Sequence, residues 1–400
     1  MRRLLTTLAV ASLSLGAVVS TAIGTSSAAP KKGTITIGIT DILSTANAQY
    51  GQAARYAALA VAGEFNATGG IDGKKIKVIS LDDQINPTVD IANAKTFLSD
   101  KVNLISGITT SGSCAAVAPV VKTTPVLCMT IAIQQVVPTI SNVFSRSPVE
   151  AQWAASAIQL LAKHTPNGAK LALALLPQNL PGTELWADQF VAEAPGLGAT
   201  IASNQQVPAT ATTFAPQVAA ILASGANAAV IEEGPPETAS IDQGLREGGF
   251  TGPIIDLTPA YTSLVTLKDP LLYEVQSSQI VNPSATSIAV KAYVKAMGKE
   301  GIKGAANLNQ ITIVADYEGF YQALTALKAC HGCTGAAYAK SIQNTKITLA
   351  GITTPGGWGY APTRHEPVTN SDVYHWSTTA NAPALVAPIG LLALNKIVAG

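Results

Sequence analysis

The sequence predicts an α/β fold with two Rossmann-like lobes, each built on a parallel β-sheet. Short β-branched segments alternate with Ala-rich helical segments from residue 34 onwards, and such alternation is typical of parallel sheets covered by helices on both faces. The pattern restarts near Pro148, which gives two groups of elements of similar size. The roughly 370 residues that follow an N-terminal leader exceed what one hydrophobic core usually supports.

The leader, residues 1–28, has the pattern of a secretory signal peptide. Two arginines precede an apolar run over residues 4–23, and a small-residue cleavage site ends at Ala28. No cysteine follows the apolar run, so we expect cleavage without a lipid anchor. No later apolar run is long enough to span a bilayer. We therefore expect a secreted protein of the periplasmic or cell-wall space, without direct membrane insertion.

The charge balance restricts the partners. The chain has 25 basic residues, two of them in the leader, and 24 acidic residues. A nearly neutral protein lacks the positive surface that nucleic acids and anionic membranes require, so neither is an expected partner. A hydrophobic content of 48% with only 12% charged residues indicates a folded rather than a disordered chain.

The first group of elements extends to residue 145. Glycines at 69 and 70 end its first helix, and Pro87 opens its second. The expected strands are residues 34–40, 75–81, 102–106, 126–129 and 141–145, and the expected helices are residues 53–65, 87–99 and 113–122.

The second group repeats this order, and the last third of the chain departs from it. Helices are predicted over residues 150–163, 184–193, 214–223 and 237–247, with strands over 170–175, 200–207, 228–232 and 253–257. Beyond residue 282 we expect helices over 288–299, 310–329 and 336–342, little strand between them, and a final strand over 372–376.

Helices without a sheet of their own pack most simply onto the first lobe, and the last strand then joins the second. This predicts three hinge crossings between the lobes. The N-terminal lobe would comprise residues 33–147 with 282–354, and the C-terminal lobe residues 148–281 with 355–400.

Four cysteines, Cys114, Cys128, Cys330 and Cys333, allow three disulfide pairings in an oxidising compartment. The local pairing, Cys114 with Cys128 and Cys330 with Cys333, is favoured. The segment Cys330-His-Gly-Cys333 also resembles half of a zinc or redox motif, but a second pair of ligands is not nearby. A structural turn is the preferred interpretation, and we expect no metal.

The turn after residues 104–107 is the first candidate site. An apolar strand stops at Gly107, and hydroxyl side chains lead into a helix. Helix N-termini present unpaired N–H groups, so this turn can hold an anionic or carbonyl group of a ligand. The alternative is that Ser111 or Ser113 is only a helix N-cap.

Motifs for catalysis are missing from the sequence. No G-x-S-x-G elbow surrounds Ser111, no H-E-x-x-H or glycine-rich phosphate loop is present, and the four histidines are scattered. The sequence therefore predicts a protein that is not an enzyme and has no cofactor.

Residues 36–132 resemble the leucine/isoleucine/valine-binding proteins. The similar segments are AQYG at 48–51, EFNATGGIDG at 64–73, DDQINP at 82–87 and GITTSGS at 107–113, with weaker similarity extending to residue 376. The resemblance implies a type I periplasmic-binding-protein fold with a ligand cleft between the lobes. It also implies the solute-binding component of a branched-chain-amino-acid-type ABC importer, with a small-molecule ligand and a membrane permease as partners.

The resemblance also implies ligand-binding residues in the first lobe. The ligand carboxylate would be held by Ser111, by its neighbours in the turn and by the loop after the next strand, while the ring of Tyr50 would cover the ligand. For Tyr50, ordinary core packing is the alternative. The candidates are Tyr50, Thr110, Ser111, Gly112, Thr130, Ile131 and Ala132.

The second lobe departs from the family pattern. The acidic residue that neutralises the ammonium of an amino acid falls on or near Pro259, and two expected tyrosines are missing. Burying an ammonium without a charge partner costs several kcal/mol. A ligand without an amine is therefore expected: a small carboxylate, an amide, or an apolar or cyclic acid. The candidates on this side are Leu180, Glu233, Gly234, Pro259 and Tyr261.

Two alternatives stay open. Glu232 and Glu233 end a strand that faces the expected cleft, so they can hold an amine, or they are solvated or capping residues. For the whole chain, a monomeric solute-binding protein is the first hypothesis. A ligand-sensing receptor domain is the second and a secreted hydrolase the least favoured.

Overall fold

The computed structural model describes residues 33–45, 47–130, 141–148, 150–165, 170–179, 184–208, 210–258, 260–360, 365–368 and 370–389. Within these residues the chain forms two large β-sheets, a small third sheet and 12 α-helices. Of the helices in these ranges, none has the length and apolar character needed to cross a membrane.

The first sheet has five parallel strands in the order β2-β1-β3-β4-β5. They are β1 (Thr34–Asp41), β2 (Lys75–Asp82), β3 (Leu104–Gly107), β4 (Val126–Cys128) and β5 (Val143–Ser145). The helices between them are α1 (Ala48–Ala67), α2 (Pro87–Ser99) and α3 (Ser111–Val117). All five predicted strands are present, and the helix predicted over residues 113–122 begins two residues earlier and ends at Val117.

Helices cover both faces of this sheet. On one face Ile37 and Ile39 of β1 pack in a core with the alanines of α1. On the other face Phe97 of α2 packs against the sheet, and a Cβ placed on Gly38 would lie only 2.6 Å from its ring. Gly38 therefore permits the close approach of α2 to β1.

The second sheet has eight strands. Its main path is β16-β15-β11-β10-β9-β6-β7, and β8 pairs with β6. The strands are β6 (Ala172–Asn179), β7 (Thr200–Asn204), β8 (Val207–Pro208), β9 (Ala228–Glu232), β10 (Ile254–Asp256), β11 (Leu272–Gln276), β15 (Ser371–Ser377) and β16 (Ala382–Ile389). Its helices are α4 (Glu150–His164), α5 (Glu184–Glu193), α6 (Ala215–Ala223), α7 (Pro235–Glu247) and α8 (Tyr261–Leu267).

The last strands make this sheet mixed, since β15 runs antiparallel to β11 and β16 antiparallel to β15. The sequence pattern did not predict β11 or β16. Two prolines lie in β16, and proline has no backbone N–H to donate. Because β16 is an edge strand, the sheet tolerates them.

The helices beyond residue 282 pack against α1 or against one another on the first lobe, where the sequence analysis expected them. They are α9 (Ile288–Lys299), α10 (Ala305–Leu308), α11 (Ile313–Ala329) and α12 (Gly335–Gln343). Tyr293 and Phe320 are fully buried in the same core as the alanines of α1. The Tyr317 hydroxyl donates to Glu64 Oε1 at 2.6 Å.

A small antiparallel sheet follows that the sequence did not predict. Its strands are β12 (Lys346–Ile347), β13 (Trp358–Tyr360) and β14 (Pro367–Val368). The Tyr360 hydroxyl donates to the Ser145 carbonyl at 2.6 Å, and Ser145 N donates to the His365 carbonyl at 2.8 Å. This sheet therefore lies beside β5. The boundary predicted at residue 355 stays a prediction, and these contacts favour one nearer residue 370.

The chain crosses between the two large sheets three times, as predicted. It leaves the first sheet after β5, returns after β11 and crosses again between β14 and β15. The crossings bring the carboxyl ends of strands from both sheets to one region.

Candidate functional site

Residues that follow strands of both large sheets line a cavity of about 90 Å³. Open α/β sheets bind ligands at this edge, beyond the carboxyl ends of their strands. The lining residues that the structure describes are Tyr50, Thr109, Met129, Thr130, Arg146, Trp153, Glu232, Leu257, Thr258, Gln276, Ser277, Ser278, Asn309, Ile311, Thr312, Val314 and Ala315. The cavity is therefore built jointly by the two lobes.

The turn after β3 supplies buried hydroxyls beside the cavity. Gly107 has a φ of 94°, and a Cβ there would lie 2.3 Å from the Thr40 carbonyl oxygen, so glycine is required. Thr110, rather than either serine, caps α3, and its Oγ1 accepts from Ser113 N at 3.2 Å. Ser111 Oγ lies 3.1 Å from Thr130 Oγ1. The two hydroxyls, from the turn and from the loop after β4, thus form one polar patch.

A disulfide braces this patch. Cys114 in α3 and Cys128 at the end of β4 are paired, and Cys330 is paired with Cys333. This is the local pairing that the sequence favoured. Because Ser111 opens α3 and Thr130 follows β4 by two residues, the first disulfide links the two segments that carry these hydroxyls.

Tyr50, in the first turn of α1, lies opposite the acidic groups of the second sheet. Burial raises the pKa of its hydroxyl well above the ordinary value, and the nearby carboxyls of Glu232, Asp256, Glu233 and Glu237 raise that pKa further. The phenol therefore keeps its proton and is able to donate a hydrogen bond.

Three of these carboxyl groups lie in different surroundings. Asp256 is fully buried, and its Oδ1 accepts from Thr258 N at 2.8 Å. Glu233 accepts from Gln178 Nε2 at 3.1 Å, and burial followed by the neighbouring carboxyls raises the pKa of Glu233 to about 9. Glu232 lies on the cavity wall and accepts from Trp186 Nε1. Glu232 is thus the acidic group of this cluster that a ligand would meet.

Arg146, directly after β5, was not predicted from the sequence. Its Nε lies 2.6 Å from Asp316 Oδ1, and its Nη1 donates to Ser147 Oγ at 3.0 Å. Burial raises the pKa of Asp316 to about 6, while the Arg146 guanidinium opposes that rise. A single basic residue after the last strand of a lobe was the available sequence signal.

Trp153, in the first turn of α4, was also not predicted. The residue is 8% exposed, lines the cavity and belongs to the core beneath α4. The sequence offered only a Trp on the apolar face of a helix, which more often marks core packing.

The structure brings some of the predicted site residues together. Tyr50 and Thr130 line the cavity, and Ser111 contacts Thr130. The remaining candidates that it describes do not line the cavity: Thr110 and Gly112 at the start of α3, Glu233 beside Gln178, Gly234 at the N-cap of α7, and Tyr261 at the start of α8.

Four candidates, Ile131, Ala132, Leu180 and Pro259, lie outside the described residues. The backbone at Gly234 nevertheless approaches the start of α1 closely. A Cβ placed on Gly234 would lie 3.1 Å from Gln49 Nε2, at the start of α1.

The family model described as periplasmic binding protein matches residues 34–381. The chain belongs to the periplasmic binding protein family. The match confirms the resemblance seen in the sequence and covers both large sheets except β16. Members of this extracytoplasmic family are solute-binding proteins rather than enzymes, in agreement with the prediction. No curated protein is similar enough in sequence to match the chain.

Solved structures of periplasmic binding proteins share the fold at low sequence identity. A solute-binding protein from R. palustris in complex with 4-hydroxybenzoate has a TM-score of 0.73 and 19% identity, over 91% of this chain and 100% of the other. An isoleucine complex of a branched-chain amino acid binding protein from Streptococcus pneumoniae has a TM-score of 0.69 and 17% identity, over 89% and 98%. A benzoate complex from R. palustris has a TM-score of 0.71 and 13% identity, over 90% and 97%.

Proposed function

We propose that this periplasmic binding protein is the secreted solute-binding component of an ABC importer of the branched-chain-amino-acid type. The main support for this proposal is the cavity, because its wall includes residues that follow strands of both large sheets. A ligand that contacts both lobes favours their closure about the three crossings, and the closed form would dock on a membrane permease. Residues 1–28 would direct export and be removed, and the protein would act as a monomer.

We propose that the ligand is a small monocarboxylic acid with an apolar body. The hydroxyls of Ser111 and Thr130 would hold the carboxylate. Met129, Leu257 and Ile311 supply apolar surface for the rest of the molecule. The carboxyl groups around Tyr50 disfavour a second negative charge at the opposite end.

A second candidate ligand is an α-amino acid, favoured by the position of Glu232 on the cavity wall. The Glu232 carboxylate would then neutralise the ammonium of the amino acid, in place of the acidic residue that is missing near Pro259. The structural relatives include complexes of both kinds, with isoleucine and with benzoates.

A thermal-shift screen followed by calorimetry tests these proposals. The probes are L-leucine, L-leucinamide, benzoate, 4-hydroxybenzoate, cyclohexanecarboxylate and cholate. We expect one acid to bind with one molecule per chain and, at a hundred times its Kd, to stabilise the protein by about 2.7 kcal/mol.

The variant Glu232→Gln separates the two ligand classes. Removing one partner of a buried charge pair costs about 3–5 kcal/mol, so binding of leucine would be almost abolished if Glu232 holds its ammonium. Binding of benzoate would change little. Tight binding of L-leucine to the wild-type protein would overturn the amine-free assignment, and failure of every probe to bind would overturn the proposed ligand class.

A further inference from the structure

Trp153 carries a polar atom that the fold leaves without a partner. Its indole Nε1 is buried, and within the described part of the chain no acceptor receives its hydrogen bond. Buried N–H groups are nearly always paired in native proteins, because an unpaired one loses its bond to water without replacement. The Trp153 side chain lines the cavity, so an oxygen of a ligand packed against this ring would supply the missing acceptor.

Two other tryptophans show why the position of Trp153 matters. The indole of Trp186 is satisfied, since it donates to Glu232. The indole of Trp358 is unpaired like that of Trp153, but Trp358 is fully buried in the small sheet and does not line the cavity. Among these three side chains, Trp153 alone combines an unpaired N–H with a place on the cavity wall.

The surroundings of Trp153 suit an oxygen on an apolar molecule. Leu257, Ile311 and Val314 line the same cavity, and the ring of Tyr50 lies on its wall. Polar side chains such as Gln276 and Asn309 share the wall, so the cavity suits a molecule with an apolar body and a few oxygens.

We propose that Trp153 donates its indole N–H to an oxygen of the bound molecule and so determines specificity for small acids over amines of the same shape. This inference rests on the proposed solute-binding function. It adds a specificity-determining residue on α4, outside the residues that the sequence singled out.

The test compares Trp153→Phe with Trp358→Phe by calorimetry, using benzoate, 4-hydroxybenzoate, cyclohexanecarboxylate and L-leucine. Both variants delete an unpaired indole N–H from a buried ring. We expect Trp153→Phe to weaken binding of the preferred acid about tenfold or more, whereas Trp358→Phe leaves it unchanged. Benzylamine, which has the ring of benzoate but no acceptor oxygen, should bind neither the wild-type protein nor the variants.

Indole N–H resonances of protein labelled with ¹⁵N in its tryptophans give a second readout. The Trp153 signal, assigned by its loss in Trp153→Phe, should move downfield when the acid is added, and the Trp358 signal should stay in place. A role in packing alone would not move the Trp153 signal in this direction.

The outcomes separate the two proposals. The role of Trp153 would be overturned if Trp153→Phe bound the acid as tightly as the wild-type protein. It would also be overturned if the Trp153 signal did not move in the complex. Solute binding would stand in both cases. Preferred binding of benzylamine would also overturn the role of Trp153. If none of the probes binds the wild-type protein, this inference and the proposed ligand class both fail.

Discussion

At the scale of single residues, the hydroxyls of Ser111 and Thr130 form the polar patch only as a pair. Their oxygens lie 3.1 Å apart, and each side chain is at most 5% exposed. The sequence placed them in separate loops, each after its own strand. Because β3 and β4 are neighbours in the sheet, the loops meet, and two ordinary hydroxyls become one polar patch beside the cavity.

The variant Ser111→Ala tests this patch. A hydrogen bond to a ligand contributes about 0.5–1.5 kcal/mol, so we expect the affinity for the acid that binds the wild-type protein to fall by roughly three- to tenfold. Isothermal calorimetry measures the change.

Ser106→Ala is the matched control. Ser106 lies on β3, is fully buried and donates to the Leu127 carbonyl at 2.6 Å, and it does not line the cavity. Its loss should lower stability by about 1 kcal/mol and leave ligand affinity unchanged. If Ser111→Ala also leaves ligand affinity unchanged, Ser111 does not bind the ligand and the turn serves only to begin α3.

At the scale of elements, the two disulfides have different tasks. The pair Cys114–Cys128 joins α3 to β4 and closes a separation of 14 residues, whereas Cys330–Cys333 closes a separation of 3 within one turn. Only the Cys114–Cys128 disulfide joins the segments next to Ser111 and Thr130, the residues of the polar patch.

Double replacement of each pair by serine should separate stability from binding. Loop-closure entropy predicts losses of about 3 kcal/mol for the longer loop and about 2 kcal/mol for the shorter one, measured by urea unfolding. Ligand affinity should fall only in Cys114→Ser/Cys128→Ser, since α3 is then no longer tied to β4. Equal affinity in the two double variants would contradict a bracing role.

The elements themselves show where sequence patterns suffice. Long segments such as β1 and α1 were predicted because their periodicity is local, although α1 begins at Ala48, five residues before its predicted start. The strands β12 and β14 have two residues each and exist only through pairing with β13. Two residues carry no periodicity, so these strands could not be predicted.

For the whole molecule, several buried carboxyl groups predict an unusual dependence of stability on pH. Burial is the first cause that raises the pKa of Glu233 to about 9, of Asp83 and Asp242 to about 7, and of Asp372 to about 6. A raised pKa means that the folded state binds the proton more tightly than the unfolded state. The stabilisation is complete below the ordinary value of about 4 and is lost as pH rises through each raised value.

We therefore expect the free energy of unfolding to decrease between about pH 5 and pH 9. Glu233→Gln, which imitates the protonated acid and keeps an acceptor for Gln178, should be more stable than the wild-type protein at pH 8 and show a shallower decrease. Urea unfolding at a series of pH values measures both.

Glu247→Gln, at the exposed end of α7, is the control and should retain the wild-type slope. A wild-type stability that rises from pH 5 to pH 9 would contradict the prediction. So would a Glu233→Gln variant with the wild-type slope.

The sequence by itself predicted most strands and helices of the two large sheets, the family and the polar turn before α3, and it favoured the pairing of neighbouring cysteines. All of these depend on residues close together in the chain or on motifs with fixed spacing. It also proposed Tyr50 and Thr130 as ligand-binding residues, and both side chains line the cavity.

Only the tertiary structure decided which side chains meet inside that cleft. Among the neighbouring acids, Glu232 faces the cavity while Glu233 turns towards Gln178. Arg146 is held by Asp316 from a distant helix, and Trp153 reaches the cavity with its N–H unpaired. The physical reason is that burial, charge pairing and hydrogen-bond satisfaction depend on how the two lobes pack, and this packing joins residues that no local pattern connects.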